Sequence, residues 1–216
     1  MLLGMQGHAD TLGHAEPDSM KEAAERNRED SIIARVLDGV IDSYRFLVNK
    51  YSARVLAFCR MRMRSEEDAQ DASQEVFVRA YRSLASFKRG ESFSAWLFAI
   101  AANNVRTHIR LFASRKQREV AFVRQQVTNP PDDPAGEAER ACEFQALREA
   151  VSSLPVDLRK PVELYYFAQL SVEETAKVLR LGQEAVKSRL FRARKQLREA
   201  LAENVQPKRP PGGISL

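Results

Sequence analysis

Between Ser171 and Leu201 the chain gathers groups suited to holding a polyanion: Lys187, Arg189, Arg192, Arg194, Lys195 and Arg198, with Gln183 and Ser188 among them. Ammonium and guanidinium groups neutralise phosphates, whereas Gln, Ser and Arg can also reach base edges. The chemistry on offer is recognition of DNA rather than bond making. A basic helix in solvent would carry the same charges, so the elements that position them have to decide. Ser171, followed three residues later by Glu174, is a capping box, and Val172, Ala176 and Leu179 then recur at helical spacing. Arg180-Leu181-Gly182 interrupts that helix. A longer one follows, with Ala185, Val186, Leu190, Ala193 and Leu197 on its inner side. Two helices across a short Gly-containing turn make a helix-turn-helix, and its second helix is the one that enters a major groove.

Composition narrows the alternatives. The chain has 216 residues, 44% of them hydrophobic and 29% charged, with a net charge of +5, values that fit a globular protein with one or two domains and a polyanionic partner. Cys59 and Cys142 have no CxxC or histidine companions and read as reduced thiols of a cytoplasmic protein. The longest apolar run, Phe93 to Ala102, is too short to span a bilayer, so no membrane insertion is expected. His8, His14 and His108 are scattered, and no P-loop or HExxH is present. Asp132 and Asp133 sit among prolines as a solvated linker. We therefore expect no enzyme, no metal and no cofactor.

Along the chain, residues 1–30 show little periodicity and are expected to form a mobile extension, with a short charged helix over Met20 to Arg28 at most. From Ile32 to Met63, Val36, Val40, Tyr44, Leu47, Tyr51, Val55 and Phe58 step by three and four, predicting one long helix or two nearly collinear ones. Ser65 and Asp68 cap the next helix, which should run to about Ser86. It buries Ala69, Ala72, Val76, Phe77, Ala80 and Leu84 and turns Asp68, Asp71, Gln74 and Glu75 outward. After a polar loop, Lys88 to Ser92, a further helix from Phe93 to about Arg110 faces inward with Trp96, Leu97, Ile100, Val105 and Ile109. Pro130, Pro131, Asp132, Asp133, Pro134 and Gly136 predict a flexible linker over 115–138. Helices return at Glu139–Ser153 and Asp157–Gln169, and the helix-turn-helix completes a second region of four helices over 139–204, leaving a tail at 205–216. The expected fold is all-α: two small helical domains, 31–114 and 139–204, joined by a flexible linker, with the helix-turn-helix in the second.

Four blocks make this order familiar. Ser65-Glu66-Glu67-Asp68-Ala69-Gln70-Asp71-Ala72-Ser73-Gln74-Glu75-Val76-Phe77 resembles the "DAEDLVQEVF" helix of bacterial sigma factors, and Phe93-Ser94-Ala95-Trp96-Leu97-Phe98-Ala99-Ile100-Ala101-Ala102-Asn103 their "FxxWLxxIAxN" segment. Leu154-Pro155, Tyr166-Phe167 and Leu170-Ser171-Val172-Glu173-Glu174-Thr175-Ala176 are similar to "LP…YF…LSxEEIA", and Val186-Lys187-Ser188-Arg189-Leu190-Phe191-Arg192-Ala193-Arg194 to "VKSRLxRAR". With all four in register over roughly residues 38–201, the chain resembles the sigma-70 family, among its compact extracytoplasmic-function (ECF) members. It departs from the pattern at Arg180, where the family often has Gly, which implies a re-shaped turn. Ala72-Ser73 replaces a bulkier apolar pair, which implies looser packing there.

The resemblance implies a function: binding core RNA polymerase, directing it to promoters and helping to open the minus-ten region. Asp68, Asp71, Gln74 and Glu75 would dock on the coiled coil of the largest subunit. Lys88, Arg89, Ser92, Phe93, Asn103, Asn104, Arg106 and Arg110 would capture the minus-ten strand, with Trp96 in the core. Gln183, Lys187, Ser188, Arg189, Arg192 and Lys195 would read the minus-thirty-five duplex, while Tyr165, Tyr166 and Phe167 would meet the polymerase flap, with the core an equal alternative for Tyr165 and Phe167. An anti-sigma factor is a further implied partner. The rival reading is a conventional helix-turn-helix regulator that binds duplex without opening it; a helical enzyme or scaffold would show no salt-dependent DNA affinity at all.

Overall fold

The protein is described by a computed structural model that covers the backbone of residues 15–63, 65–119 and 135–205, and the side chains of 23–63, 65–110 and 144–201. His8, His14, the middle of the expected linker and most of the expected tail lie outside the described residues. Among those described, eight α-helices and no strand appear, in two helical regions: α1 (Ala15–Leu37), α2 (Tyr44–Arg60), α3 (Glu66–Ser83) and α4 (Phe93–Glu119), then α5 (Ala135–Ser153), α6 (Val156–Val162), α7 (Val172–Leu179) and α8 (Gln183–Val205). No helix among them is long and apolar enough to cross a membrane.

The first departure from the sequence pattern lies at the amino end. The expected 30/31 boundary falls inside α1, and residues 23–30 are packed rather than free of the fold. Glu29 is buried, accepts from the Tyr51 hydroxyl and pairs with Lys50, which also pairs with Glu25. Arg28 lies over the ring of Phe46, 4.6 Å from its centroid. Charged residues at helical spacing lack an apolar stripe and so look solvated in sequence, but here the carboxylates face a lysine and a phenol. Of the one long helix or two expected over 32–63, two form: the break is at Gly39, whose φ of +95° suits glycine, and α2 starts only after a short 3-10 turn at Ile41–Ser43.

Capping sets the starts of α3 and α7 as predicted. The Asp68 amide donates to Ser65 Oγ at 3.0 Å, and Ser171 with Glu174 forms the full capping box on α7. The face foreseen for α3 is the one it buries, against α2 and α4. On α4, Leu97 and Val105 are buried as expected, but Ile109 is exposed. Pro161 falls within α6, and the backbone beyond it widens into one π turn, Glu163–Phe167, instead of continuing as the α-helix expected to Gln169. Arg180 takes up the left-handed conformation itself, φ 55° and ψ 49°, with the Leu181 amide bonded to the Ala176 carbonyl. The turn therefore keeps the geometry that glycine would give, at a cost of about 1 kcal/mol, and the re-shaping expected from the sequence does not occur.

Two cores form, and neither belongs to one region alone. The larger one holds Phe58, Leu84, Phe93, Leu97 and Phe98 from the first region together with Leu164, Ala168 and Leu170 from the second. The smaller holds Val151, Leu158, Val162, Val186 and Leu190 with Met61 of the first region. Cys59 lies in the larger core, where burial pushes its thiol up to about 12, so it packs as an apolar group.

Ala72 and Ser73 do not loosen the α3–α4 contact. Both are buried, and the small side chains leave room for Asn104, 0% exposed, to donate through Nδ2 to the Ala72 carbonyl at 3.0 Å. Asn104 was expected at the DNA; it is a core residue that ties α4 to α3. Asn103, one position earlier, is exposed. Asn104→Ala should therefore lower the unfolding free energy by about 1–3 kcal/mol, since a buried hydrogen bond is lost, while Asn103→Ala should stay within about 0.5 kcal/mol. Urea denaturation of both variants checks this, and the reverse ranking would contradict the packing.

Candidate nucleic-acid interface

Three surfaces gather the residues singled out in the sequence. On the outward side of α3, Asp68, Asp71 and Gln74 are exposed. Glu75 is half-buried and already engaged, 2.5 Å from both Arg79 Nη2 and His108 Nε2. Burial raises its carboxyl, but His108 and Arg79 outweigh that and hold it below the ordinary carboxylate range. Glu75 is thus a brace between α3 and α4 as much as a free acid. Val78 and Tyr81, missed in the sequence, continue the outward row at 47% and 40% exposure. Their i, i+3 and i+4 spacing from Asp71 and Gln74 was the available signal; apolar residues are assigned inward by default.

The second surface is built on the start of α4. Lys88 and Arg89 are exposed on a loop whose Gly90 has φ +81° and donates its amide to Asp30 Oδ2 at 2.8 Å. Ser92 caps α4, accepting from the Ala95 amide at 3.1 Å. Phe93, expected to meet DNA, is 1% exposed and packs among the rings of Tyr51, Phe87 and Trp96, each with its centroid about 5.5 Å away. Trp96, expected in the core, is only half-buried and lines a cleft of about 900 Å³ with Ser92, Asn103 and Arg106. The roles of the two aromatics are exchanged: the smaller ring fills the interior, and the larger lies at the wall of an open space. Arg106 donates to Asn103 Oδ1 at 2.6 Å, which orients both toward the same opening. Arg110, one turn further, is exposed beyond it. The far wall belongs to the second region, with Lys160, Lys177 and Arg180.

The third surface is α8. Val186, Leu190 and Ala193 are buried against α6 and α7, which leaves Gln183, Lys187, Ser188, Arg192 and Lys195 outward. Arg189 is half-buried on the flank. Lys187 is held by Glu184 at 2.8 Å, a weak exposed pair, and Arg192 lies 4.0 Å from Asp157. Phe191 stands among these cations at 67% exposure. A ring left in water on a recognition helix is the feature sequence reasoning passed over, and an apolar contact of this kind suits a thymine methyl in the major groove. Tyr165 and Tyr166 are exposed and stack edge to face at 5.0 Å, while Phe167 packs on the smaller core. Of the three, only Phe167 belongs to the core. No group of acidic, His or Cys side chains among the described residues could hold a metal ion.

Against known proteins, the family described as Sigma-70 region 2 matches residues 47–115, and the one described as Sigma-70, region 4 matches residues 144–197. RNA polymerase sigma-H factor of Pseudomonas aeruginosa is 30% identical over 82% of this chain and 95% of its own. The ECF RNA polymerase sigma-E factor of Escherichia coli is 29% identical over 85% of this chain and 97% of its own. Among solved structures, CnrH in complex with the cytosolic domain of CnrY has a TM-score of 0.63 at 26% identity, covering 82% of this chain and 98% of that one. Both surfaces with exposed cations lie inside the matched segments, and so does the outward face of α3. The chain therefore belongs to the ECF group of the sigma-70 family, the non-catalytic subunits that direct RNA polymerase to promoters.

Proposed function

We propose that each of the three surfaces performs one step of initiation. The outward row of α3 docks the chain on the coiled coil of the polymerase largest subunit, with Asp68, Asp71 and Gln74 as acceptors and Val78 and Tyr81 as apolar anchors. Carboxylates and an amide flanking exposed apolar side chains suit an arginine-rich helical partner. Tyr165 and Tyr166 meet the flap. The α8 face reads the minus-thirty-five duplex, Lys187, Arg192 and Lys195 holding phosphates and Gln183, Ser188 and Phe191 meeting base edges.

The observation that carries strand opening is the cleft beside Trp96. Opening a duplex without ATP requires that the unpaired strand be bound better than the paired one, and an extruded base needs a stacking ring and polar groups for its edge. Trp96 supplies the ring, Asn103 the edge contact, and Arg106, Arg110, Lys88 and Arg89 the phosphate contacts; Phe93 supports Trp96 from behind. An anti-sigma factor is the third partner in this reading, in a cytoplasmic setting. It rests on family membership and on the likeness to CnrH, which is held by the cytosolic domain of CnrY.

Asp71→Lys with Val78→Lys should leave helicity and thermal stability close to wild type, because both side chains face outward. Core polymerase affinity should fall at least about ten-fold as an attractive, partly apolar contact turns repulsive. Unchanged affinity in a fluorescence titration would remove α3 as the docking face. Lys187→Ala should flatten the salt dependence of promoter binding by about one unit of slope, whereas Phe191→Ala should relax preference at one base pair at a cost of about 1–3 kcal/mol. Filter binding of the holoenzyme across a salt series and a panel of single-pair substitutions checks both; identical slopes and preferences would place α8 away from the duplex.

A further inference from the structure

The loop that carries Lys88 and Arg89 is tied to a residue outside the segment matched to Sigma-70 region 2, which begins at residue 47. Lys88 to Glu91 form a tight turn, in which the Glu91 amide donates to the Lys88 carbonyl at 3.2 Å. Gly90, the third residue, has φ +81°, whereas Arg89, the second, keeps a negative φ. That is the signature of a type II turn. Type II differs from type I by a flip of the central peptide, here the one between Arg89 and Gly90. The turn's own hydrogen bond does not involve that peptide, and glycine takes either sign of φ about as readily. Nothing inside the loop therefore fixes which way the peptide faces. The choice is made from α1: Asp30 Oδ2 accepts the Gly90 amide at 2.8 Å, across 60 positions of sequence.

Asp30 can act as an anchor because α1 is itself held on both sides of it. Ile33 and Val36 are buried in the larger core, and Glu29 accepts from the Tyr51 hydroxyl and from Lys50. The helix also packs on the 3-10 turn Leu84–Ser86, which leads into the loop. The same contacts reach the rings of the site: Tyr51 lies 5.5 Å from Phe93, and Phe93 lies 5.5 Å from Trp96. A carboxylate beside a strand-binding loop repels phosphates, so its charge does not account for its place; its acceptor oxygen does. We propose that Asp30 is a positioning residue for strand capture, holding the Arg89–Gly90 peptide in one orientation before the unpaired strand arrives. The proposal rests on the assignment of this loop and cleft to the minus-ten strand. A loop that exchanges between two turn types loses that freedom on binding, which weakens capture.

The test compares Asp30→Ala, Asp30→Asn and Gly90→Ala with wild type, each as the full chain with core polymerase. Asparagine removes the charge but keeps an oxygen acceptor at the same distance along the side chain, whereas alanine removes both. At Gly90 an added Cβ meets nothing within 4 Å, yet it disfavours φ +81° and drives the turn toward the other type without a clash. Permanganate reactivity of the minus-ten thymines on a duplex promoter should fall about five-fold for Asp30→Ala and for Gly90→Ala. Asp30→Asn should stay within about two-fold of wild type, and a pre-melted template should restore all three. The Asp30→Ala, Gly90→Ala double variant should be no worse than either single one, because both act on one peptide. Thermal denaturation checks folding; should Asp30→Ala unfold, Gly90→Ala against Asp30→Asn carries the same comparison. Duplex opening by Asp30→Ala at the wild-type level overturns the proposal, and so does Asp30→Asn as defective as Asp30→Ala. Asn103→Ala alongside separates the two ideas. If it fails to open the duplex while Asp30→Ala does not differ from wild type, capture stands and the positioning role falls; if neither is impaired, the capture assignment falls with it.

Discussion

The contact on which most of the structure depends is the burial of Leu164, Ala168 and Leu170 in a core otherwise made by the first region, from Ile33 and Val36 of α1 through α2 and α3 to α4. Three buried apolar side chains are a substantial contribution, since each large one stabilises the fold by about 1.5–3 kcal/mol. It comes from residues more than a hundred positions away from Phe58, the centre of that core. The same segment delivers the carbonyls that Arg54 grips and the carboxylate of Glu163 that Arg62 neutralises. Burial pushes the Glu163 carboxyl upward, against the opposing pull of Arg62, Arg159 and Lys160. Removing Arg62 would leave that buried carboxylate with only the longer, 3.8 Å pairing to Arg159, which is why the ion pair acts as a constraint on where the regions meet more than as a source of stability.

This constraint gives the cleft its second wall. A groove between two regions differs from one within a region: its volume changes when they move, and the groups on its two faces separate. Ser92, Trp96, Asn103 and Arg106 form a rigid set on α4, backed by the rings of Phe87 and Phe93. The opposite wall contributes Lys177 and Arg180 only while the regions touch.

Much of the local structure was legible because its causes are local. The cap at Ser65, the capping box at Ser171, the apolar face of α3 and the inward row of α8 are set by neighbours three or four residues away. What was not legible turns on differences that periodicity does not encode. Asn103 and Asn104 are adjacent polar residues, and only the position of the Ala72 carbonyl decides that the second is buried. Phe93 and Trp96 lie three apart on one face, so the pattern cannot say which ring turns inward. Arg180 in the left-handed region, and α1 held by a phenol and a lysine, follow from tertiary contacts that outweigh propensity. The hydrogen bond from Ser94 to Glu174 spans 80 positions, beyond the reach of any pattern.

The central claim is that unpaired DNA is held in the Trp96–Asn103 cleft after polymerase has reached the promoter. It is tested most directly by permanganate footprinting of unpaired thymines with Asn103→Ala holoenzyme, on a duplex promoter and on the same promoter with a pre-melted minus-ten bubble. The account predicts promoter binding near wild type, weak reactivity on the duplex and recovery on the bubble, where the unpairing cost of a few kcal/mol is already met. Wild-type reactivity on the duplex, or a defect that the bubble does not relieve, would contradict it.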